Sequence, residues 1–415
     1  MNYDECLAYL DRVGSEVLTM KFGLETTREL LKFLGDPHLE YASILIAGTN
    51  GKGSVACFLD SVCVTSGIRS GVYTSPHLIK PEERIVVDGL PVTSQVFANC
   101  ITRVAEAVNC LQLPSNPTYF EILTATAFLC FAEHDVELAI LEVGMGGRLD
   151  STNVVNPVLS ILTPVGLDHQ MFLGNSLEAV ATEKAGILHE TGLALMGLQR
   201  SEVRRVFVRE ATRKRVKLLQ LDSSDIQYKS STAGKYTFEF HGTEYELSMC
   251  GCHQIENASL ASQAFELLSS CGISVSKALL TQGIEKACCD GRIQILSHDP
   301  IIVLDGAHNS DAVNNLVQFL TEHTQEPRTL IFSMMKDKDM TPVGELVMAC
   351  FQDIYLTSMS SDRVASIREM NGLFPSGIPV ADPLVAYSRA LNTSAKTVVV
   401  AGSFYLVGEI LKNFE

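Results

Sequence analysis

Residues Tyr41–Val55 read YASILIAGTNGKGSV, an apolar run that breaks into a glycine-rich turn carrying one lysine and one serine. Ile44–Ala47 predicts a strand and Val55–Ser66 a helix, so the glycines fall at a strand-to-helix turn. The common phosphate loop reads G-x-x-x-x-G-K-[ST]. Here Ile46 stands where the first glycine belongs, and Gly53 separates Lys52 from Ser54. The physical requirements are still met. Gly48, Gly51 and Gly53 let backbone N–H groups turn toward one point without Cβ clashes, and a helix N-terminus adds positive potential there. Lys52 offers a charge for the β/γ-phosphates and Ser54 a hydroxyl for Mg²⁺. A plain glycine turn would need neither, so the stretch is read as a nucleotide loop of a different make.

Around it, short β-branched runs alternate with helical patterns. Strands are expected at Gly71–Thr74, Leu138–Val143 and Val158–Thr163, and helices at Phe120–Ala132 and Leu177–Ala185. That order predicts a mostly parallel sheet covered by helices. Tyr228–Met249 changes to period two around His241-Gly242, as in an antiparallel hairpin, and a helix follows over Gln254–Cys271. The α/β rhythm then restarts, with strands Ile301–Leu304, Thr329–Ser333, Asp353–Thr357 and Thr397–Ala401 and a helix Asp311–Thr321. The expected architecture is α/β: a phosphate-loop domain over 1–290, a hinge over 291–297, and a smaller Rossmann-like domain over 298–415.

Composition narrows the function. The 415 residues are 46% hydrophobic and carry a formal charge of -16. A large core is affordable, and nucleic acid or an anionic membrane is disfavoured as main partner. An anionic small substrate needs only a local basic pocket. The twelve cysteines are scattered, with close pairs only at Cys250/Cys252 and Cys288/Cys289 and no C-x-x-C. They read as reduced thiols of a cytoplasmic protein, without zinc spacing. The N-terminus is neither a signal nor a transit peptide. The apolar region 122–143 is interrupted by charges, short of the roughly 18–20 residues a membrane span needs.

Further polar groups fall at strand ends, where open parallel sheets bind ligands. Glu142 ends "LAILE" and His169 follows "VLSIL". Beside a phosphate loop they fit a Mg²⁺ site, although His169 alone could serve as a loop hydrogen-bonder. Lys184 occupies the next position of the apolar stripe Leu177, Val180, Ala181, on a helix that Ser176 can cap and Gly186 can end. A lysine on a buried face tends to a lowered pKa, and a neutral amine can take up CO₂ as a carbamate. The alternative is a lysine snorkelling at a helix end. Asp305 and His308 follow another strand in "IIVLDGAHNSDAV", with Ser310 able to cap the next helix. Arg292 could reach a phosphate from the hinge. Caps or surface ion pairs are the competing readings of these three.

Together the motifs GTNGKGS (48–54), YTSPHL (73–78), TYFE (118–121), EVGMGGRLDSTN (142–153), LDH…LGNSLEAVATEKAGI (167–187), HQIENA (253–258), GRIQ (291–294), DGAHN (305–309), KDKD (336–339) and GSFYLVG (402–408) resemble the folylpolyglutamate synthase/dihydrofolate synthase family, a branch of the Mur ligase superfamily whose bacterial members are often bifunctional. The match spans nearly the whole chain in order. It implies ATP-dependent ligation of L-glutamate to dihydropteroate or a folate. It implies ATP contacts from Asn50, Gly51, Lys52, Gly53, Ser54, Asn257, Arg292 and Asp305, with His308 close by. Ser54, Ser75, Glu142 and His169 match metal positions for Mg²⁺, with K⁺ as a further cation, and Lys184 matches a carbamylated lysine. Lys52, Lys184, His169 and Glu142 are the catalytic candidates. The pterin side maps onto Phe22, Thr118, Tyr119, Phe120, Glu121, Leu149, Asp150 and Ser151. A monomer without nucleic-acid or membrane partners is expected. Two rivals are a cell-wall ligase of the superfamily, for whose extra N-terminal domain residues 1–47 leave no room, and a non-catalytic nucleotide-binding regulator. "ILHETGLALMG" lacks an expected proline, Cys250 and Cys252 stand where apolar residues or proline are usual, and "KFGLE" matches only a short pattern.

Overall fold

The computed structural model describes residues 1–14, 23–232, 234–359, 361 and 363–414. Eight strands form the first sheet: β1 (Ala42–Ala47), β2 (Ser70–Tyr73), β3 (Ile85–Val87), β4 (Leu90–Pro91), β5 (Leu138–Glu142), β6 (Leu159–Leu162), β7 (Leu193–Met196) and β8 (Lys217–Gln220). Their order is β4-β3-β2-β5-β1-β6-β7-β8. β3 runs antiparallel to β2 and β4, and the remaining neighbours are parallel.

Strand β1 is covered on both faces. Leu45 and Ala47 join one core with Phe128 and Leu141, while Ile44 and Ile46 join the opposite core with Phe58 and Ile161. Residues 44–47 are fully buried. Burying each large aliphatic side chain is worth about 2 kcal/mol, and a one-residue slip would exchange the two faces. The register is thereby fixed, with Ile46 beside Glu142 of β5 and Ala47 beside Leu162 of β6. The phosphate loop, Glu142 and the segment after β6 consequently emerge at one carboxyl edge.

The hairpin at His241-Gly242 is present, with Phe240 opposite Thr243 and positive φ at both turn residues, as a tight hairpin requires. The expected stretch supplies three strands, not two: β9 (Ile226–Thr232), β10 (Lys235–Phe240) and β11 (Thr243–Leu247). Phe238, Phe240, Tyr245 and Leu247 pack with Ala261 and Phe265 of the following helix, His253–Leu268.

The second sheet comprises β12 (Gln294–His298), β13 (Ile301–Asp305), β14 (Arg328–Phe332), β15 (Asp353–Leu356), β16 (Ile378–Pro379) and β17 (Thr397–Ala401), in the order β12-β13-β17-β14-β15-β16. Only β12 is antiparallel to its neighbour. This corrects the hinge reading of 291–297: from Gln294 onward that segment is an edge strand. It is only half-buried and its register shifts against β13, so neither alternation nor an apolar run marks it. The connector proper is the turn through Asp290–Ile293.

Candidate active site

The phosphate-loop helix spans Lys52–Ser66, three residues earlier than its apolar pattern predicts. Lys52, Gly53 and Ser54 form its first turn, where backbone N–H groups have no partner within the helix. Gly51 precedes it at φ 87°, ψ -12°, a left-handed conformation that favours glycine. A Cβ on Gly51 would also stand 2.6 Å from Asn257 Oδ1. A Cβ on Gly53 would lie 3.3 Å from Arg292 Nη2 and 3.6 Å from Glu142 Oε2. The glycine that breaks the usual pattern thus makes room for two other site residues.

Lys52 Nζ donates to Thr49 O at 3.3 Å and lies 3.6 Å from Glu142 Oε1. Glu142 is buried, and its Oε2 accepts the Ser75 N–H at 3.3 Å. Behind the loop, Gln254 Nε2 donates to Ser54 Oγ at 3.3 Å and Asn257 Nδ2 donates to Gln254 Oε1 at 2.9 Å. Gln254 lies in the HQIENA motif, but the sequence assigned it no role.

Lys184 closes the helix Leu177–Lys184, which Ser176 caps through the Ala179 N–H. Of the expected stripe, Val180, Ala181 and Lys184 are buried and Leu177 is half-buried. Lys184 Nζ donates to Gly48 O at 2.7 Å. Burial, then the charge of Lys52, pushes its pKa down to about 7.

His169 follows β6 in a left-handed conformation (φ 49°). Two residues unassigned in the sequence surround it. Lys338, from the second domain, donates to Asp168 Oδ1 at 2.6 Å and lies 3.2 Å from His169 Nε2. Asp168 Oδ2 is 3.6 Å from His308 Nε2. Burial opposes the Asp168 charge, but His308 and Lys338 hold the carboxyl well below the usual range. Burial, then Lys338, brings His169 down to about 3, so the imidazole is neutral. The KDKD motif offered no partner for its second lysine, because the contact joins residues 170 positions apart.

Asp305 ends β13 and spends both oxygens on backbone: Oδ2 accepts the Ile293 N–H and Oδ1 the Ala307 N–H, each at 2.7 Å. It therefore anchors the connector that carries Arg292. The Arg292 guanidinium stacks 4.4 Å over the Phe404 ring. Asn309, not Ser310, caps the helix Ser310–His323. Its amide also pairs reciprocally with Asn50 across the domains, at 3.0 and 3.3 Å.

One cleft collects most of these groups. Lys52, Lys184, Arg292, Lys338 and Arg363 line it against Glu142, Asp150 and Asp168, a local basic pocket in an acidic protein. Thr118, Phe120, Leu149, Asp150 and Ser151 line the same cleft. Asp150 accepts the N–H groups of Met145 and Thr152, at 2.9 and 3.0 Å, and so shapes the glycine loop 144–147. Tyr119 and Glu121 do not line it. Glu121 turns back onto Thr118 in a capping box, and Tyr119 lies under Arg84. Phe22 falls outside the described residues.

The residues suit a hard divalent cation. Ser54, Ser75 and Glu142 are oxygen donors of the kind Mg²⁺ takes. The neutral His169 has a buried Nδ1 without a hydrogen-bond partner. Among the described residues, no cluster of three His, Cys, Asp or Glu side chains is placed to hold a metal ion, and no helix is long and apolar enough to cross a membrane.

The chain matches the Mur ligase middle domain over residues 46–265 and the Mur ligase, glutamate ligase domain over 291–404. It is 32% identical over 411 residues to the dihydrofolate synthase/folylpolyglutamate synthase of Bacillus subtilis, covering 95% of this chain and 96% of that protein. Among solved structures it is similar to FolC of Escherichia coli in complex with DHPP and ADP, at 28% identity and TM-score 0.88, covering 100% and 98% of the two chains. It is also similar to the bifunctional Yersinia pestis enzyme with Mn, AMPPNP and L-glutamate bound, at 26% identity and TM-score 0.87, with the same coverage. The chain belongs to the Mur ligase family, in its folylpolyglutamate synthase/dihydrofolate synthase branch.

Proposed function

We infer that this cleft forms an amide between L-glutamate and a carboxylate of dihydropteroate or a folate, at the expense of ATP. The observation that carries the reading is convergence: the phosphate loop, the Glu142/His169 edge and the Lys338/His308 groups of the second domain face one cleft also lined by residues 118, 120 and 149–151. A phosphate site and an anionic-acid site within one basic cavity suit activation of one carboxylate by another molecule's phosphate.

The carboxylate oxygen attacks the γ-phosphorus of ATP, the bond to ADP breaks, and an acyl phosphate forms. Lys52 and the N–H groups of the first helical turn neutralise the charge that spreads over the phosphoryl oxygens. Ser54, Ser75, Glu142 and His169 would hold Mg²⁺, which adds further charge neutralisation when bound. The free amine of glutamate then attacks the acyl carbon, and phosphate leaves with one former carboxylate oxygen. The Asn50–Asn309 and Asp168–Lys338 contacts close the second domain over the site, which keeps water from the acyl phosphate. This reading takes a monomer as the working unit. Lys184, with a pKa of about 7, is nucleophilic enough at neutral pH to carry a carbamate. That group would turn a buried cation into an anion beside the phosphate loop, a ligand for the divalent ion or for K⁺. Both acids, dihydropteroate and a folate glutamate, are accepted in this reading.

Oxygen labelling tests the acyl phosphate. With the acid's carboxylate carrying ¹⁸O, one labelled oxygen is expected in the released phosphate for each amide formed. Phosphate free of label would contradict the pathway.

A further inference from the structure

Beside the active site, Cys57 and Cys289 bring their sulfurs to 2.8 Å from one another. Cys57 lies on the phosphate-loop helix, three residues beyond Ser54. Cys289 stands three residues before Arg292, immediately before the connector's first residue, Asp290. The approach is built into the packing. The helix Lys277–Lys286 sits directly on the phosphate-loop helix: a Cβ on Gly283 would come to 2.5 Å from Val62 Cα, and Ser61 Oγ donates to Gly283 O at 2.7 Å. Past the buried Ala287, the chain turns over Cys57. All twelve cysteines are free, and Cys57 and Cys289 are half-buried as residues. Nothing in the amide-forming chemistry uses them.

We propose that Cys57 and Cys289 are an oxidation site, at which a peroxide forms a disulfide that staples the chain just before the interdomain connector to the phosphate-loop helix and slows turnover. The sulfurs need to close by less than about 1 Å to reach the ~2.05 Å bond. Cys289 is the better first nucleophile. The hydrogen bond from Cys57 lowers its pKa, burial opposes this, and the Arg292 charge lowers it further; Cys57 itself is pushed well up. The Cys289 thiolate attacks one peroxide oxygen, the O–O bond breaks, and with one proton a sulfenic acid and water result. Cys57 sulfur then attacks the sulfenic sulfur, its proton leaves with the hydroxyl as water, and the S–S bond forms. In sum two thiols and one H₂O₂ give one disulfide and two waters.

The effect on turnover follows from position. Arg292 stacks on Phe404 of the second domain and reaches to Gly53 of the loop. A covalent tie three residues away restricts the swing that opens this contact for nucleotide exchange. The slowing rests on the ligase reading above; the cross-link does not.

The test treats the purified full chain with hydrogen peroxide, blocks remaining thiols, and maps linked peptides by mass spectrometry. Amide formation is measured before oxidation, after it, and after dithiothreitol. A Cys57–Cys289 peptide is expected, with turnover reduced at least about fivefold and restored by dithiothreitol. Cys57→Ser and Cys289→Ser should lose both the link and the sensitivity, while Cys288→Ser keeps both. Absence of the linked peptide in the wild-type chain, a link through Cys288, or a complete link with unchanged turnover would overturn the proposal. Should the unoxidised chain form no amide, the ligase reading fails, and the peptide map still decides the link.

Discussion

Lys52→Met is expected to lower kcat/KM for amide formation by about 10³-fold, a loss of about 4 kcal/mol of transition-state stabilisation. The ammonium stands between the loop carbonyl of Thr49 and the Glu142 carboxylate, at 3.3 and 3.6 Å. Lys52 begins the helix whose N-terminus is proposed to receive the phosphates. Methionine keeps the length and apolar stem while removing that charge. Steady-state ADP release at varied ATP measures the loss, and thermal unfolding confirms that the variant is folded. Activity within tenfold of wild type, in a folded variant, would remove Lys52 from the role given to it. Lys52→Arg should recover little, because a planar guanidinium does not fit where a compact ammonium meets the loop.

Lys184→Ala is expected to reduce kcat by about 10²-fold, the scale of losing one preorganised charged group at a reacting centre. Two consequences can be separated. The Gly48 carbonyl loses its 2.7 Å partner, which costs about 1–3 kcal/mol of stability. The carbamate also becomes impossible. Native intact mass should show the wild-type chain heavier by about 44 Da, the mass of one bound CO₂, and the variant without that increment. Short carboxylic acids added to Lys184→Ala should restore part of the rate, by placing a carboxylate where the carbamate stood. Full activity in the variant, with no mass increment in wild type, would refute the carbamate.

What the sequence made legible follows the range of the interactions. Strand β1, its loop, strand β5 ending on Glu142 and strand β6 ahead of His169 are local patterns, and these elements stand where the apolar runs place them. Lys184 is legible for the same reason: one helical period puts it on the stripe of Val180 and Ala181. The helix start at Lys52 is not, because a turn containing Gly53 has weak helical propensity and the loop geometry imposes it. Strand β12 hides because a half-buried edge strand needs no strict alternation. Asp168, Lys338, Gln254 and the Asn50–Asn309 pair hide because their partners lie far along the chain. Glu121 and Asp305 show the reverse case. Their motifs mark them as site residues, yet their oxygens hold a helix start and the connector, so they shape the site from behind.

The central claim is that this cleft makes a glutamyl amide on a pterin acid. Its most direct measurement offers the purified chain ATP, Mg²⁺ and L-glutamate with dihydropteroate or tetrahydrofolate in turn, and reads the products by mass spectrometry. Both acids should gain glutamyl residues, with one ADP released per amide bond. No glutamyl product from either acid, from a folded chain that binds ATP, would contradict it.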